Sequence, residues 1–180
     1  IGDGTVIVGD RALALQVKAR AATGDTPERA VNWLRKMAHE GGRQATGTIR
    51  ALTRQPVELI DGRGRASLVA GSELNWVRVV ILEHPDSPSV ELDADDQWSP
   101  LVPILRRDWD FLFDHLRSTA TVVDYIFRVS REPTHHVGQE PARYFELARE
   151  DEKSANRDSE SWPAGLGAEP STYPHLPTAP

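Results

Sequence analysis

A tight turn between two apolar strands, followed closely by a long capped helix, is the feature that most narrows the folds open to this chain. Thr5 to Val8 is a β-branched run, Gly9-Asp10-Arg11 is a turn signal, and Ala12 to Ala19 is a second apolar run. Together they read as a β-hairpin. Thr26 then stands where an N-cap belongs, with Pro27 at the first helical position and Glu28 in the first turn. Ala30, Trp33, Leu34, Met37, Gly41, Ala45, Ile49 and Leu52 recur at helical spacing up to about Arg54. Gly41-Gly42 weakens the middle of this stretch, so one kinked helix or two helices both fit the pattern. Gln44 and Thr48 fall on or beside the apolar stripe and are expected to face the sheet.

The rest of the chain extends an α/β pattern. Val57 to Ile60 and Arg65 to Val69 flank Asp61-Gly62-Arg63-Gly64 as a second hairpin, and Trp76 to Glu83 is a strongly apolar strand suited to the centre of a sheet. Residues 84–100 read as a Pro- and Asp-rich surface loop, and Leu101 to Leu105 as a short strand. Asp108 to Arg117 predicts a helix with Trp109, Leu112, Phe113 and Leu116 inward. A second helix capped by Ser118 or Thr119 would carry Val122, Val123, Ile126 and Val129, and a third would cover Pro141 to Glu150. From Asp151 the composition turns to Ser, Pro, Glu, Asp, Gly and Ala, as in a disordered tail or linker. The expected organisation is a core over 1–105, a helical extension over 106–150 and a tail over 151–180. The chain opens on Ile1 with a strand close behind it, which reads as a core truncated at its N-terminus.

Charge and composition limit the functional classes. The chain has no cysteine, so disulfides and thiolate metal sites are excluded, and a reducing cytoplasm is the expected location. No apolar run approaches the length of a membrane span. The net charge of −6 argues against a nucleic-acid ligand until its distribution is considered. Residues 1–65 carry +4, residues 66–149 carry −6, and residues 150–180 carry −4. The basic excess therefore lies on the segment of the first hairpin and helix.

Lys18 is the residue there that composition would not supply, since the chain has eighteen arginines and three lysines. Side chains alternate along a strand, so Ala12, Ala14, Gln16 and Lys18 share one face and Leu13, Leu15 and Val17 the other. Asp3 lies thirteen positions before Gln16, across the hairpin. An acid, an amide carbonyl and an ammonium at one sheet edge suit metal-dependent phosphodiester chemistry. A carboxylate such as Asp3 is a hard oxygen ligand for Mg²⁺ (or Mn²⁺); the Gln16 amide and the Val17 backbone carbonyl are further oxygen donors. Lys18 would orient the attacking water or offset phosphate charge, and Arg20 would hold a neighbouring phosphate.

Asp3-Gly-Thr-Val-Ile-Val, the turn Gly9-Asp10-Arg11, and Leu13-Ala-Leu-Gln-Val-Lys-Ala-Arg20 resemble the active-site hairpin of the PD-(D/E)xK nuclease superfamily. The closer likeness is to its nuclease-related and Mrr-like restriction-endonuclease domains. The following helix, with Gln44-Ala-Thr-Gly-Thr-Ile-Arg50, resembles the one that packs beside that site. The likeness covers roughly residues 1–83. It implies an α/β restriction-endonuclease-like fold, a mixed sheet flanked by helices with a mostly helical C-terminal extension. It also implies Mg²⁺-dependent endonuclease action on DNA, in defence or repair, with Asp3, Gln16 and Lys18 as catalytic residues, and Asp3, Gln16 and Val17 as metal donors. Substrate contacts would fall to Arg20 and Gln44. RNA as substrate and pairing into a homodimer both stay open. Gln16 departs from the usual acid of the pattern, and a catalytically degenerate, nucleic-acid- or protein-binding form of the fold is the alternative.

Weaker signals have plainer explanations. Asp10 reads as a turn residue, Lys18 alone would serve as a charge protecting an edge strand, and Gln44 suits a helix–sheet hydrogen bond as well as a site. Gly62-Arg63-Gly64-Arg65 is first a hairpin turn and second a phosphate contact. His135-His136 lacks a further ligand at metal-binding spacing. Trp33 and Trp109 are expected in the core.

Overall fold

The computed structural model describes residues 4–21, 24–85, 87–93 and 99–160, with 155–160 as backbone only. The chain divides into two compact units, 1–143 and 144–180.

The hairpin forms as its pattern dictates. Strand β1 (Gly4–Val8) runs antiparallel to β2 (Arg11–Ala19), with Gly4 opposite Leu15 and Val8 opposite Arg11. Gly9 supplies the positive φ of +60° that closes the turn. Helix α1 (Pro27–Arg54) crosses next, and β5 (Asn75–Glu83) returns parallel to β2. Between them, β3 (Val57–Ile60) and β4 (Ala66–Val69) form a separate two-stranded sheet. Strand β7 (Leu101–Leu105) pairs parallel to β5, which completes a mixed four-stranded sheet in the order β1-β2-β5-β7. Seven consecutive buried residues, Trp76 to Leu82, mark β5 as a central strand covered on both faces.

Helix α1 is one uninterrupted helix, because its two glycines serve packing and not a kink. A Cβ on Gly41 would lie 2.7 Å from Val80 Cγ1, and one on Gly42 would lie 3.0 Å from Leu101 Cδ2. The pair lets the helix axis settle closely on β5 and β7. Thr26 caps the helix by accepting from the Arg29 N–H at 3.4 Å. Its buried stripe runs through Ala30, Leu34, Ala38, Gly41, Ala45, Ile49 and Leu52. Trp33 and Met37 sit at its margin, packed against the core while partly exposed.

Two further helices follow β7: α2 (Arg106–Leu116) and α3 (Thr119–Val129). Arg11 on β2 reaches α3, donating to Asp124 Oδ1 at 2.5 Å and lying over the Phe127 ring. That places α3 on the face opposite α1. Leu112 is buried on α2 as the spacing predicts, but Phe113 is exposed and Asp108 takes an inward position. Ser118 stands at the N-cap of α3 without a side-chain cap bond.

The stretch 84–100 departs from the loop expectation. Val90–Asp93 forms strand β6, paired antiparallel with β8 (Thr134–Val137). Its partner lies some forty residues away, and a four-residue strand inside an acidic Pro-rich stretch carries no local signal that would reveal it. Helix α4 spans Glu140–Glu160, so it runs into the segment whose composition suggests a tail. Within the second unit, residues 144–160 continue that helix, and Tyr144 and Phe145 contact edge to face at 5.3 Å. No helix among the described residues is long and apolar enough to cross a membrane.

Candidate functional site

Gln16 and Lys18 point from β2 toward α1. The parallel register sets Gln16 beside Val80 and Lys18 beside Leu82, and Val80 is the residue on which Gly41 packs. Both lie toward the carboxyl end of β2, where the parallel strands β5 and β7 also end. Ligands of open α/β sheets bind outside such carboxyl ends.

At that edge Lys18 meets two side chains of α1. Its Nζ donates to Gln44 Oε1 at 2.6 Å and lies 3.5 Å from Glu40 Oε1. Glu40 and Gln44 are one helical turn apart, so the helix presents both to one ammonium. Gln44 is thus joined to the site, but at its exposed rim; the neighbour that faces inward is Thr48, whose hydroxyl donates to the Gln44 carbonyl at 3.3 Å. Sequence reasoning misses Glu40; its i,i+4 relation to Gln44 puts the two on one helix face but does not tell which turn of the helix reaches Lys18.

Gln16 is 4% exposed, and its Nε2 has no hydrogen-bond partner. The two ends of a side-chain amide are nearly isosteric, so rotation of the amide would place its oxygen at that unpartnered position. The Val17 side chain projects from the opposite face and is 40% exposed, which leaves only its backbone carbonyl as a potential donor. Asp3 lies outside the described residues; the hairpin pairing begins with the residue after it, Gly4, opposite the residue before Gln16.

Arg20 follows β2 and extends its pairing through an N–H bond to the Glu83 carbonyl at 2.9 Å. Its guanidinium donates to Asp25 Oδ1 at 3.0 Å, and the other oxygen of Asp25 lies 3.0 Å from His84 Nε2. His84 also packs against the Trp33 ring at 5.2 Å. Asp25 therefore ties the loop entering α1 to the strand ends, and it partly neutralises Arg20. At the distant hairpin, Asp61 accepts from the Arg63 and Arg65 N–H groups and from the Arg65 guanidinium, which hold its carboxyl below the usual range.

A second polar cluster is enclosed among α2, α3, β8 and the start of α4. Tyr125 donates its hydroxyl to Glu140 Oε2, and Arg143 pairs with Glu132. Burial pushes the Glu140 carboxyl up to about 7 and the Tyr125 hydroxyl upward as well. Asp108 is also raised by burial, although it accepts from the Gly138 and Glu140 N–H groups, and its Oδ2 has no partner. His135 is lowered by burial, while His136 faces the other way and lies 3.3 Å from Glu91. The adjacent histidines therefore do not share a site.

Among the described residues, no three His, Cys, Asp or Glu side chains gather as a metal-binding group. The side-chain donors at the Lys18 edge are Glu40 and the amides of Gln16 and Gln44, an all-oxygen set that fits a hard ion such as Mg²⁺ and not a thiolate- or imidazole-seeking metal. Comparison with protein-family models, with curated proteins and with solved structures finds no match to this chain.

Proposed function

We propose that this protein hydrolyses phosphodiester bonds in DNA with the aid of Mg²⁺ or Mn²⁺, as an endonuclease with a restriction-endonuclease-like core. The observation that carries the proposal is the contact of Lys18 with Glu40 and Gln44, on the strand face that also carries the buried Gln16, whose Nε2 has no hydrogen-bond partner. The order of hairpin, crossing helix and parallel strand also supports the fold assignment.

The division of labour follows from the side chains. Glu40 supplies a carboxylate where Gln16 replaces an acid, and Asp3, one residue before β1, would supply another. With the Gln16 amide they would hold the ion, whose bound form offsets phosphate charge and lowers the pKa of water. Lys18 is oriented by Glu40 and Gln44, so its ammonium is held in place to position water or a phosphate oxygen. Burying the Gln16 Nε2 unpaired costs about 1–3 kcal/mol, a penalty that ligation by the rotated amide oxygen would relieve. Arg20 contributes positive potential at the rim, tempered by Asp25.

A second reading rests on the same geometry. The Lys18 ammonium already has an acid and an amide as partners, as it would in a nuclease-like domain that only binds nucleic acid or protein.

Plasmid nicking with Mg²⁺, with Mn²⁺ and with chelator separates the two. Endonuclease action predicts cleavage that needs the ion and falls by about 10²-fold or more in Asp3→Ala and in Lys18→Ala. Cleavage that survives both substitutions overturns the site. DNA retention without cleavage by the intact protein supports the binding module.

A further inference from the structure

Helix α1 buries one face on the sheet and carries a line of cations on the other. Arg29, Lys36, Arg43 and Arg50 stand seven residues apart, and all four are exposed. Seven residues make nearly two full turns, so each position returns to within about 20° of the last. The four side chains therefore form one row about 32 Å long on the solvent side of the helix. Arg54 prolongs the row by one turn, and Arg35 flanks it.

These cations lack the partners that others in the first unit have. Arg11 is paired with Asp124, Arg20 with Asp25, Arg65 with Asp61 and Arg106 with Asp110. None of the six arginine and lysine side chains of α1 enters an ion pair or a hydrogen bond among the described residues. The helix has two carboxylates, Glu28 and Glu40, and Glu40 is turned to Lys18. On a chain of net charge −6, α1 is thus a region of the opposite sign. Its cations repel one another along one face, and a polyanion laid on them would offset that repulsion.

Dimensions and surroundings select the class of polyanion. A row of about 32 Å is too long for a small anion and close to one turn of duplex DNA, about 34 Å. Single strands are held by stacking their bases on aromatic side chains. Trp33, the one tryptophan, tyrosine or phenylalanine of α1, packs instead against the core and His84. A bilayer requires an exposed apolar face, whereas the apolar stripe of α1 is buried on the sheet. The row also passes the Lys18 edge. Its midpoint lies between Lys36 and Arg43, level with Glu40, and Gln44 follows Arg43; Glu40 and Gln44 are the two side chains that hold Lys18.

We infer that the exposed face of α1 is the docking surface for duplex DNA. Arg29, Lys36, Arg43 and Arg50 meet backbone phosphates along about one turn, with the Lys18 edge beside the middle of that footprint. The identity of the polyanion rests on the proposed action on DNA, but docking does not require hydrolysis. Contacts to phosphates read no base, so docking is independent of sequence.

The test is fluorescence anisotropy of the full chain with a labelled duplex of about two turns, in chelator so that nothing is cut, over a range of salt concentrations. Four phosphate contacts predict a slope of log K against log salt of about −4. Lys36→Gln combined with Arg43→Gln should flatten that slope by about two and weaken binding about tenfold at low salt. Both positions are exposed and glutamine is a good helix former, so the fold is kept. The charge-matched control, Arg131→Gln combined with Arg149→Gln, lies outside α1 and should stay within about twofold of wild type. Equal losses in the two variants overturn the inference, as does an unchanged slope in the first or no duplex binding by wild type at low salt. So does equally tight binding of the matching single strand, or of vesicles of equal parts phosphatidylserine and phosphatidylcholine. Plasmid nicking with Mg²⁺ keeps the two proposals apart. Binding that follows α1 in a protein that never cuts supports the docking surface and removes hydrolysis. Cleavage that needs Lys18, with binding indifferent to Lys36 and Arg43, does the reverse.

Discussion

The two polar clusters of the first unit place similar groups in opposite surroundings. At the Lys18 edge, an ammonium, a carboxylate and the Gln44 amide meet at the open end of parallel strands, and the Lys18 and Glu40 side chains are 17% and 36% exposed. In the second cluster, Asp108, Tyr125 and Glu140 are each less than a tenth exposed, and burial shifts all three. Perturbed proton affinity therefore marks the enclosed cluster, which joins α2 and α3 to the start of α4. The open cluster is the one a polymer can reach. Perturbation points to function only where substrate has access, and here the two criteria separate.

The largest effect expected from this contrast concerns pH. The folded-state value of Glu140, about 7, lies above its ordinary 4.5, so folding favours the protonated form. The associated stability is fully present below the ordinary value and is lost as pH rises through about 7. Denaturant titrations of wild type should therefore lose about 3 kcal/mol between pH 4.5 and 8, a loss missing from Glu140→Gln. Asp108 adds to the loss in the same direction. His135, lowered by burial, acts in the opposite sense: its contribution is present above its ordinary value of 6.5 and fades as pH falls. The difference between wild type and Glu140→Gln isolates the carboxyl. Equal pH slopes in the two proteins would break the comparison from the buried side.

Next in size is the packing that brings α1 to the site. Gly41→Ala forces a methyl against Val80 and should destabilise the fold by about 1–3 kcal/mol, read by urea unfolding. It should also weaken the contact of Glu40 and Gln44 with Lys18, seen as faster exchange of the Lys18 ammonium in nitrogen-detected NMR. A neutral result would mean that the helix does not need its close approach.

The smallest stability effect belongs to the site itself. Glu40→Gln removes a partly exposed ion pair and should change stability by less than about 1 kcal/mol. Its effect on Mn²⁺ binding, measured by calorimetry, should be several-fold larger in relative terms than that of Glu146→Gln on the surface. Equal effects of the two substitutions would detach Glu40 from the proposed ion.

Local features of this fold are legible in the sequence. The Gly9-Asp10 turn, the alternation along β2 and the Thr26-Pro27-Glu28 cap lead directly to the hairpin and to a helix over the expected residues. The shared face of Gln16 and Lys18 follows from strand period alone. Glu40 does not, because which turn of a 28-residue helix crosses the strand end depends on the helix–sheet contact set by Gly41 and Gly42. The β6–β8 pair is hidden for a related reason: its register couples Leu92 with His135, and nothing near either residue encodes that distance. Asp108 and Glu140 look like ordinary helix-end acids in the sequence, since burial of a polar residue is a property of the assembled layers.

The most direct measurement is single-turnover cleavage of a supercoiled plasmid with Mg²⁺, comparing wild type, Lys18→Ala and Glu140→Gln under conditions where circular dichroism finds all three folded. Lys18→Ala should lose about 10²-fold or more of the rate, while Glu140→Gln stays within about twofold of wild type. A Lys18→Ala rate equal to wild type, or a collapse confined to Glu140→Gln, would contradict the assignment and move the chemistry to the buried cluster.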